Sequence, residues 1–207
     1  MIALDLPGHG ALLDAQLTQA NVNQQLLHII ENVVRRPAVL VGYSLGGLLA
    51  INFVQRFPEH TAGLVLAGAT LDVTGWKRRA YDLLLAPALR LPRAACTAML
   101  AGCFRLTLPR KVAQMIIWTP FNYDVFGQAR DLVSGMRFSE RLRGYRKPAL
   151  FITGQFDLIF RPAQAHFAKQ CAARSRIVRW TDHVLPLRRP QEFCDVLRDF
   201  CTQLQSR

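Results

Sequence analysis

The chain has 207 residues, of which 51% belong to the hydrophobic set and 19% are charged. This composition excludes a disordered chain and predicts a globular protein with a sizeable core. Lys and Arg outnumber Asp and Glu by 26 to 14, which gives a formal net charge of +12. The basic residues are not interleaved with aromatic residues in a recognisable nucleic-acid module, so we expect no nucleic-acid binding.

The ends and the cysteines of the sequence indicate where the protein works. Asp5 interrupts the first apolar run and no basic leader precedes it, so we expect neither a secretory signal nor a transit peptide. No uncharged apolar run reaches the roughly 18 residues of a membrane span. Five cysteines, an odd number without zinc-like spacing, favour a reducing compartment. We therefore expect a cytoplasmic protein without a metal site.

Short apolar runs bounded by Gly and Pro predict five strands, in chain order at residues 2–6, 38–42, 63–67, 149–153 and 176–180. Segments with helical periodicity predict helices at residues 22–35, 45–56, 162–173 and 190–204. Alternation of this kind is typical of an α/β fold, in which helices flank a mostly parallel sheet.

Residues 70–147 interrupt the alternation. Four prolines divide this segment, and its apolar residues cluster as they do in short helices. It also carries 14 of the 26 basic residues but only 5 of the 14 acidic ones. We predict that residues 70–147 form an inserted helical lid on a core made of residues 1–69 and 148–207.

A candidate nucleophile lies between the strand at 38–42 and the helix at 45–56. Residues 42–46 read Gly-Tyr-Ser-Leu-Gly, the G-x-S-x-G pattern of a serine placed on a strand-to-helix turn. Glycine on both sides of Ser44, at positions 42 and 46, would let the neighbouring chain pass close to a strained turn. The helix N-terminus directs N–H groups toward the site, so the backbone N–H of Leu45 is the candidate oxyanion donor.

A serine hydroxyl needs a histidine base and a carboxylate that orients it. Asp157 lies just beyond the strand at 149–153, and His183 follows the strand at 176–180. Both positions lie at the carboxyl end of a strand, where parallel sheets place catalytic groups. The order Ser44, Asp157, His183 predicts a catalytic triad. Asp182, beside His183, is an alternative acid partner.

Together these motifs resemble the α/β-hydrolase superfamily. Residues 5–10, Asp-Leu-Pro-Gly-His-Gly, resemble the D-x-P-G-x-G turn after the family's fourth strand, and residues 183–190 resemble its histidine loop. The similarity is greatest to lidded esterases, lipases and carrier-protein methyl esterases, together with the menaquinone-pathway lyase and cofactor-free haloperoxidases. The resemblance implies catalysis without a cofactor through an acyl-enzyme on Ser44.

The same resemblance implies three earlier strands, and an oxyanion loop ahead of residue 2, that this sequence does not contain. The sheet would then lack a strand beside residues 38–42. Direct pairing of residues 2–6 with residues 38–42, a strand donated by another chain or a natural start further upstream would fill that gap.

We therefore expect a serine hydrolase that cleaves a carboxylic ester or thioester. Two alternatives stay open: a lyase that uses the triad as a base for elimination or C–C cleavage, and a weakly active or non-catalytic remnant. The weakly active or non-catalytic remnant is an alternative because the oxyanion loop would be missing, and loss of one oxyanion donor lowers kcat by about 10²–10³-fold. Tyr43, Trp118 and Phe121 are candidate substrate-binding residues.

The partners that we expect are a small-molecule or acyl-thioester substrate and, at the basic lid, an acidic carrier protein or an anionic surface. A homo-oligomer is also compatible with the sequence.

Overall fold

The computed structural model describes residues 1–119 and 122–205. The chain divides into two compact units. The first, which we call the helical unit, contains Met1–Gln24 and Val73–Met136, and the second, the sheet unit, contains Gln25–Asp72 and Arg137–Arg207. The N-terminal residues thus group with the central helices, and the division into core and lid stays a prediction.

The sheet unit contains four parallel strands in the order β1-β2-β3-β4. They are β1 (Ala38–Tyr43), β2 (Thr61–Ala67), β3 (Ala149–Gly154) and β4 (Arg174–Val178). Four of the five predicted strands are therefore confirmed, although β4 begins and ends two residues earlier than predicted. An α/β fold with a parallel sheet flanked by helices is the architecture that the alternation of elements predicts.

The predicted strand at residues 2–6 is wrong, because this segment has no regular structure. The backbone that follows it bonds within its own turn: the N–H of His9 donates to Leu6 O at 2.9 Å and the N–H of Gly8 donates to Leu12 O at 2.8 Å. The Asp5 carboxylate accepts the N–H of Ala11 at 3.0 Å. A strand needs a partner for its backbone groups, and among the described residues β1 pairs only with β2.

The helices of the sheet unit connect successive strands or follow the last one. They are α2 (Leu45–Arg56), α7 (Phe138–Arg141), α8 (Gln164–Gln170), α9 (Leu185–Arg188) and α10 (Pro190–Gln205). The helix predicted at residues 22–35 is α1 (Gln19–His28), continued by a π-helical turn at Ile29–Val34. Parallel neighbours require such crossovers, which is why helices separate the strands in the sequence.

One part of the core of the sheet unit lies between the sheet and α10, and α2, with eight buried residues, contributes to another part. Residues of β2, β3 and β4 form a buried apolar cluster with Phe200 of α10, and Phe193, Val196, Leu197 and Leu204 of the same helix pack against it. Every residue of β3 is buried, as expected for a strand inside a parallel sheet. This core fixes the carboxyl ends of the strands, where the predicted catalytic residues lie.

The helical unit contains α3 (Gly75–Arg90), α4 (Arg93–Thr107), α5 (Arg110–Trp118) and α6 (Val125–Val133). Prolines 92 and 109 occupy the N-cap positions of α4 and α5. The prediction of short helices without strands is confirmed for the described part of residues 70–147. The N-terminal turn belongs to this unit, since Gly8 O accepts the N–H of Asn122 at 2.8 Å.

The two ends of residues 73–136 are joined by backbone hydrogen bonds within the helical unit. The N–H of Val73 donates to Met136 O at 3.0 Å, and the N–H of Gly135 donates to Val73 O at 2.8 Å. Within the sheet unit, Asp72 accepts hydrogen bonds from the N–H and the hydroxyl of Ser139 at 2.8 and 2.6 Å. In the described residues, no helix combines the length and the apolar character that a bilayer span needs.

Candidate active site

Ser44 occupies the turn between β1 and α2 in a backbone conformation that residues other than glycine rarely adopt, with φ 51° and ψ −121°. Its N–H donates to Ala67 O at 2.9 Å, which extends the β1–β2 ladder to the turn itself. A Cβ on Gly42 would lie 2.4 Å from the Cα of Gly47. A Cβ on Gly46 would meet no atom within 4 Å, so the expectation that Gly46 provides clearance is wrong, and Gly47 has that role.

Asp157 is buried in the turn after β3, with 2% of its surface exposed. Its Oδ1 accepts the backbone N–H groups of Ile159 and Phe160 at 3.2 and 2.9 Å. Its Oδ2 lies 3.1 Å from Nδ1 of His183. Several hydrogen-bond donors stabilise the charge of a buried carboxylate and also fix its orientation.

His183 connects Asp157 to Ser44, because its Nε2 lies 3.0 Å from the Ser44 Oγ. A carboxylate only accepts hydrogen bonds, so Nδ1 carries the proton that faces Asp157. In the neutral imidazole of this tautomer, Nε2 is the acceptor that faces the hydroxyl of Ser44. The structure therefore brings the three predicted residues into one chain of hydrogen bonds, the arrangement that activates a serine hydroxyl for attack on a carbonyl carbon.

Two glycines make room for His183. Gly68, directly after β2, has φ +52°, and a Cβ there would lie 2.8 Å from Nδ1 of His183. Gly154, at the end of β3, would place a Cβ 2.3 Å from the carbonyl oxygen of Asp182. Sequence reasoning missed both positions. The available signal was a glycine at the end of each buried strand, where a close approach of another segment is common.

Two aromatic side chains lie against the imidazole of His183. The ring centroids of Phe160 and His183 are 4.8 Å apart with an interplanar angle of 17°. Those of Tyr43 and His183 are 5.2 Å apart at 27°. The Tyr43 hydroxyl also donates to the carbonyl oxygen of His183 at 3.1 Å. Burial, followed by the charges of Asp157 and Asp182, raises the pKa of Tyr43 to about 12, so its hydroxyl stays a donor in alkaline solution.

Asp182, the alternative acid, has other partners. Its Oδ1 accepts the N–H of Val184 at 3.0 Å and lies 3.1 Å from the Nε of Arg188. The carboxylate beside the imidazole is that of Asp157.

The remaining predicted site residues lie apart from these contacts or outside the described residues. Leu45 is the first residue of α2, where helix geometry leaves its N–H without an intrahelical acceptor. Trp118 ends α5 in the helical unit, with 81% of its surface exposed. Phe121 lies outside the described residues. Within the described chain, no three His, Cys, Asp or Glu side chains are grouped as metal ligands would be.

Comparison with known proteins places the fold in a family. Residues 1–196 match the model of the alpha/beta hydrolase family. The chain belongs to this family. Its similarity to a pimeloyl-[acyl-carrier protein] methyl ester esterase of Neisseria meningitidis serogroup C is 24% identity over 220 residues, which covers 96% of this chain and 81% of that protein.

Two further proteins are similar to this chain, one over part of its sequence and one in its structure. A 2-succinyl-6-hydroxy-2,4-cyclohexadiene-1-carboxylate synthase of Klebsiella pneumoniae is 38% identical over 66 residues, which covers 31% of this chain and 26% of that one. The structure of MenH from S. aureus superimposes with a TM-score of 0.80 at 19% identity, covering 98% of this chain and 83% of that one. The structural likeness confirms the α/β-hydrolase fold.

Proposed function

We propose that the protein is a serine hydrolase that cleaves a carboxylic ester or thioester with Ser44, His183 and Asp157. The hydrogen-bond chain from Asp157 Oδ2 through His183 to the Ser44 Oγ carries this proposal. The similarity over 96% of the chain to a carrier-protein methyl ester esterase supports an ester substrate.

The reaction follows from the positions of the donors and acceptors. The Ser44 Oγ attacks the carbonyl carbon while Nε2 of His183 takes its proton, and the N–H of Leu45 stabilises the oxyanion. The imidazolium then gives the proton to the departing alcohol or thiol, which leaves an acyl group on Ser44. Water attacks this ester with His183 again as base, so the products are the acid and free Ser44.

A fluorophosphonate probe tests the nucleophile directly. We expect labelling of the wild-type protein and of Ser175→Ala, a control serine exposed on β4, and none of Ser44→Ala. Turnover of p-nitrophenyl esters should fall by at least about 10³-fold in Ser44→Ala. Equal labelling of Ser44→Ala and wild type would contradict the proposal. Weak labelling of the wild type beside an intact fold would favour the weakly active remnant.

We also propose that the ester is presented by an acidic carrier protein, which deepens the same function. Arg79, Arg105, Arg110 and Lys111 of the helical unit are exposed. Within the described residues none of the four forms an ion pair with an acidic side chain. Such unneutralised charge attracts an acidic partner. The similarity to an esterase whose name specifies an acyl-carrier protein supports this choice.

A lyase is the second candidate, with the His183–Asp157 pair acting as the base that starts an elimination or C–C cleavage. The 66-residue similarity to the Klebsiella pneumoniae synthase favours it. A panel of p-nitrophenyl esters separates the two candidates. Turnover of short or medium chains supports the esterase, whereas fluorophosphonate labelling without ester turnover supports the lyase.

We further propose that the enzyme works in the cytoplasm. All five cysteines are free, as is usual in a reducing compartment.

A further inference from the structure

Tyr43 is the residue that precedes the nucleophile in the chain, and its side chain reaches the loop that carries the base. The hydroxyl donates to the backbone oxygen of His183, and the ring stacks on the imidazole. The two residues are 140 positions apart in the sequence. One side chain on the nucleophile turn therefore contacts both the backbone and the ring of the base that must approach that turn.

Phe160 approaches the same imidazole from the acid side. Its ring stacks on His183, and its N–H donates to Asp157 Oδ1. Its own carbonyl oxygen accepts the hydroxyl of buried Thr70 at 2.7 Å. Phe160 is 7% exposed, so packing and hydrogen bonds fix both its backbone and its ring.

The two rings stack on the imidazole from different elements, Tyr43 from the end of β1 and Phe160 from the turn after β3. Both are within 30° of parallel to it, with centroids 4.8 and 5.2 Å away. Within the described residues, Tyr43 and Phe160 form no ring contact with each other. The imidazole is thus in contact with an aromatic ring from the nucleophile side and one from the acid side, while its two nitrogen atoms are directed at Asp157 and Ser44.

We propose that Tyr43 and Phe160 are positioning residues, an aromatic clamp that holds the His183 imidazole in the plane that joins Asp157 to Ser44. The clamp rests on the proposed function for its effect on rate, but its contacts with His183 do not depend on the substrate. It restricts rotation of the ring out of the plane in which both hydrogen bonds form. The hydroxyl bond of Tyr43 adds a fixed distance between the nucleophile turn and the histidine loop.

Three variants separate the parts of the clamp. Tyr43→Phe keeps the ring and removes the hydroxyl bond. Phe160→Leu keeps an apolar side chain and removes one stacked ring. Tyr145→Phe is the matched control, because it also removes a buried tyrosine hydroxyl bond, to the Thr61 hydroxyl at 3.2 Å, outside the site.

Ester kinetics provide the first readout. We expect Tyr43→Phe to lower kcat about fivefold, the factor that corresponds to one ordinary hydrogen bond, with KM unchanged. Phe160→Leu should also lower kcat, and Tyr145→Phe should leave both constants within twofold of wild type. Loss of stability alone would not move kcat at a temperature where all variants are folded. Equal kcat in wild type, Tyr43→Phe and Phe160→Leu would overturn the proposal.

NMR of the imidazole provides a readout that needs no turnover, so it separates failure of the clamp from failure of the proposed hydrolase. The His183 signals are assigned by comparison with His183→Gln. An aromatic ring shields the protons that lie over its face, so the Hε1 signal of His183 should move downfield when Phe160→Leu removes one stacked ring. In Tyr43→Phe it should stay near its position but broaden, because the ring remains and the loop loses its tether. Wild-type spectra in both variants would overturn the proposal even in an inactive protein.

Discussion

Gly68 constrains the position of the His183 imidazole sterically. A methyl group there would approach Nδ1 of His183 to 2.8 Å and Oδ2 of Asp157 to 3.4 Å. We expect Gly68→Ala to move the imidazole and to lower kcat by about 100-fold, the scale of a 1 Å misplacement of a catalytic group. Ester kinetics measure this effect. The same change costs about 1–2 kcal/mol of stability because φ is positive.

Gly144→Ala is the control for that backbone cost. Gly144 also has a positive φ, +86°, but a Cβ there would meet no atom within 4 Å. It should lose a similar free energy of unfolding and keep wild-type kcat. Equal kcat values in the two variants would show that the contact between Gly68 and the imidazole has no catalytic consequence.

The hydroxyl of Tyr43 makes the free energy of unfolding depend on pH in the alkaline range. Its pKa rises from 10 to about 12 in the folded protein, first because of burial. The unfolded chain therefore releases this proton at lower pH than the folded chain. The stabilisation linked to the neutral hydroxyl is complete below pH 10 and is lost as the pH rises from 10 toward 12.

Removal of that hydroxyl should reduce the dependence on pH. We expect the free energy of unfolding to fall less steeply between pH 10 and 11 in Tyr43→Phe than in wild type. Urea denaturation at pH 9, 10 and 11 measures the slopes. Parallel slopes would contradict the linkage, whereas an offset between parallel lines would reflect only the lost hydrogen bond.

At the scale of elements, α10 stabilises the sheet largely through Phe200. This side chain is 1% exposed and belongs to the cluster formed by β2, β3 and β4. Phe200→Ala should lower the free energy of unfolding by about 3–5 kcal/mol, the range for removal of a buried aromatic ring. Urea denaturation measures the difference. Phe156→Ala, at a site 50% exposed, should cost much less, and similar losses in both would show that the contact of Phe200 with the sheet does not stabilise the fold.

The sequence predicted elements well where an apolar run meets a clear boundary. The bounds of α2 were predicted correctly, because a glycine turn precedes it and Pro58 follows soon after its end. β4 was displaced by two residues because it is an edge strand, and Arg174, Ser175 and Arg176 are exposed on it. A hydropathy pattern marks a strand where its side chains are buried, and most side chains of this edge strand are exposed.

The three side chains that the structure brings together at the candidate site could be predicted for a related reason. Motif order and strand position are enough to select Ser44, Asp157 and His183, because each follows the end of a strand. Gly68 and Phe160 were missed because they contact His183 only after the strands assemble. Nothing in their local sequence records which distant side chain will lie against them.

At the scale of the whole molecule, charge should control the encounter with an acidic carrier. The net charge is +12, and over half of the basic residues lie in residues 70–147. We expect Arg110→Glu with Lys111→Glu to lower kcat/KM for a carrier-linked ester by about tenfold, at the lower end of electrostatic steering. Kinetics with a neutral p-nitrophenyl ester should be unchanged, and added salt should reduce the difference between variant and wild type.

A control variant with the same net charge separates the effect of total charge from the effect of charge on α5. Lys169→Glu with Arg176→Glu changes two exposed basic residues of the sheet unit that lie outside residues 70–147. If this variant loses as much activity on the carrier-linked ester as the variant in α5, total charge rather than the helical unit governs the encounter.

The hydrogen bonds at the two ends of residues 73–136 have a consequence for how the chain between them can vary in length. They join Val73 to Gly135 and Met136, while Asp72 and Ser139 bond to each other within the sheet unit. Each closure is local, so we expect insertions and deletions between these ends to leave the spacing of β2 and β3 unchanged, because the free energy of closing a loop rises only slowly with its length.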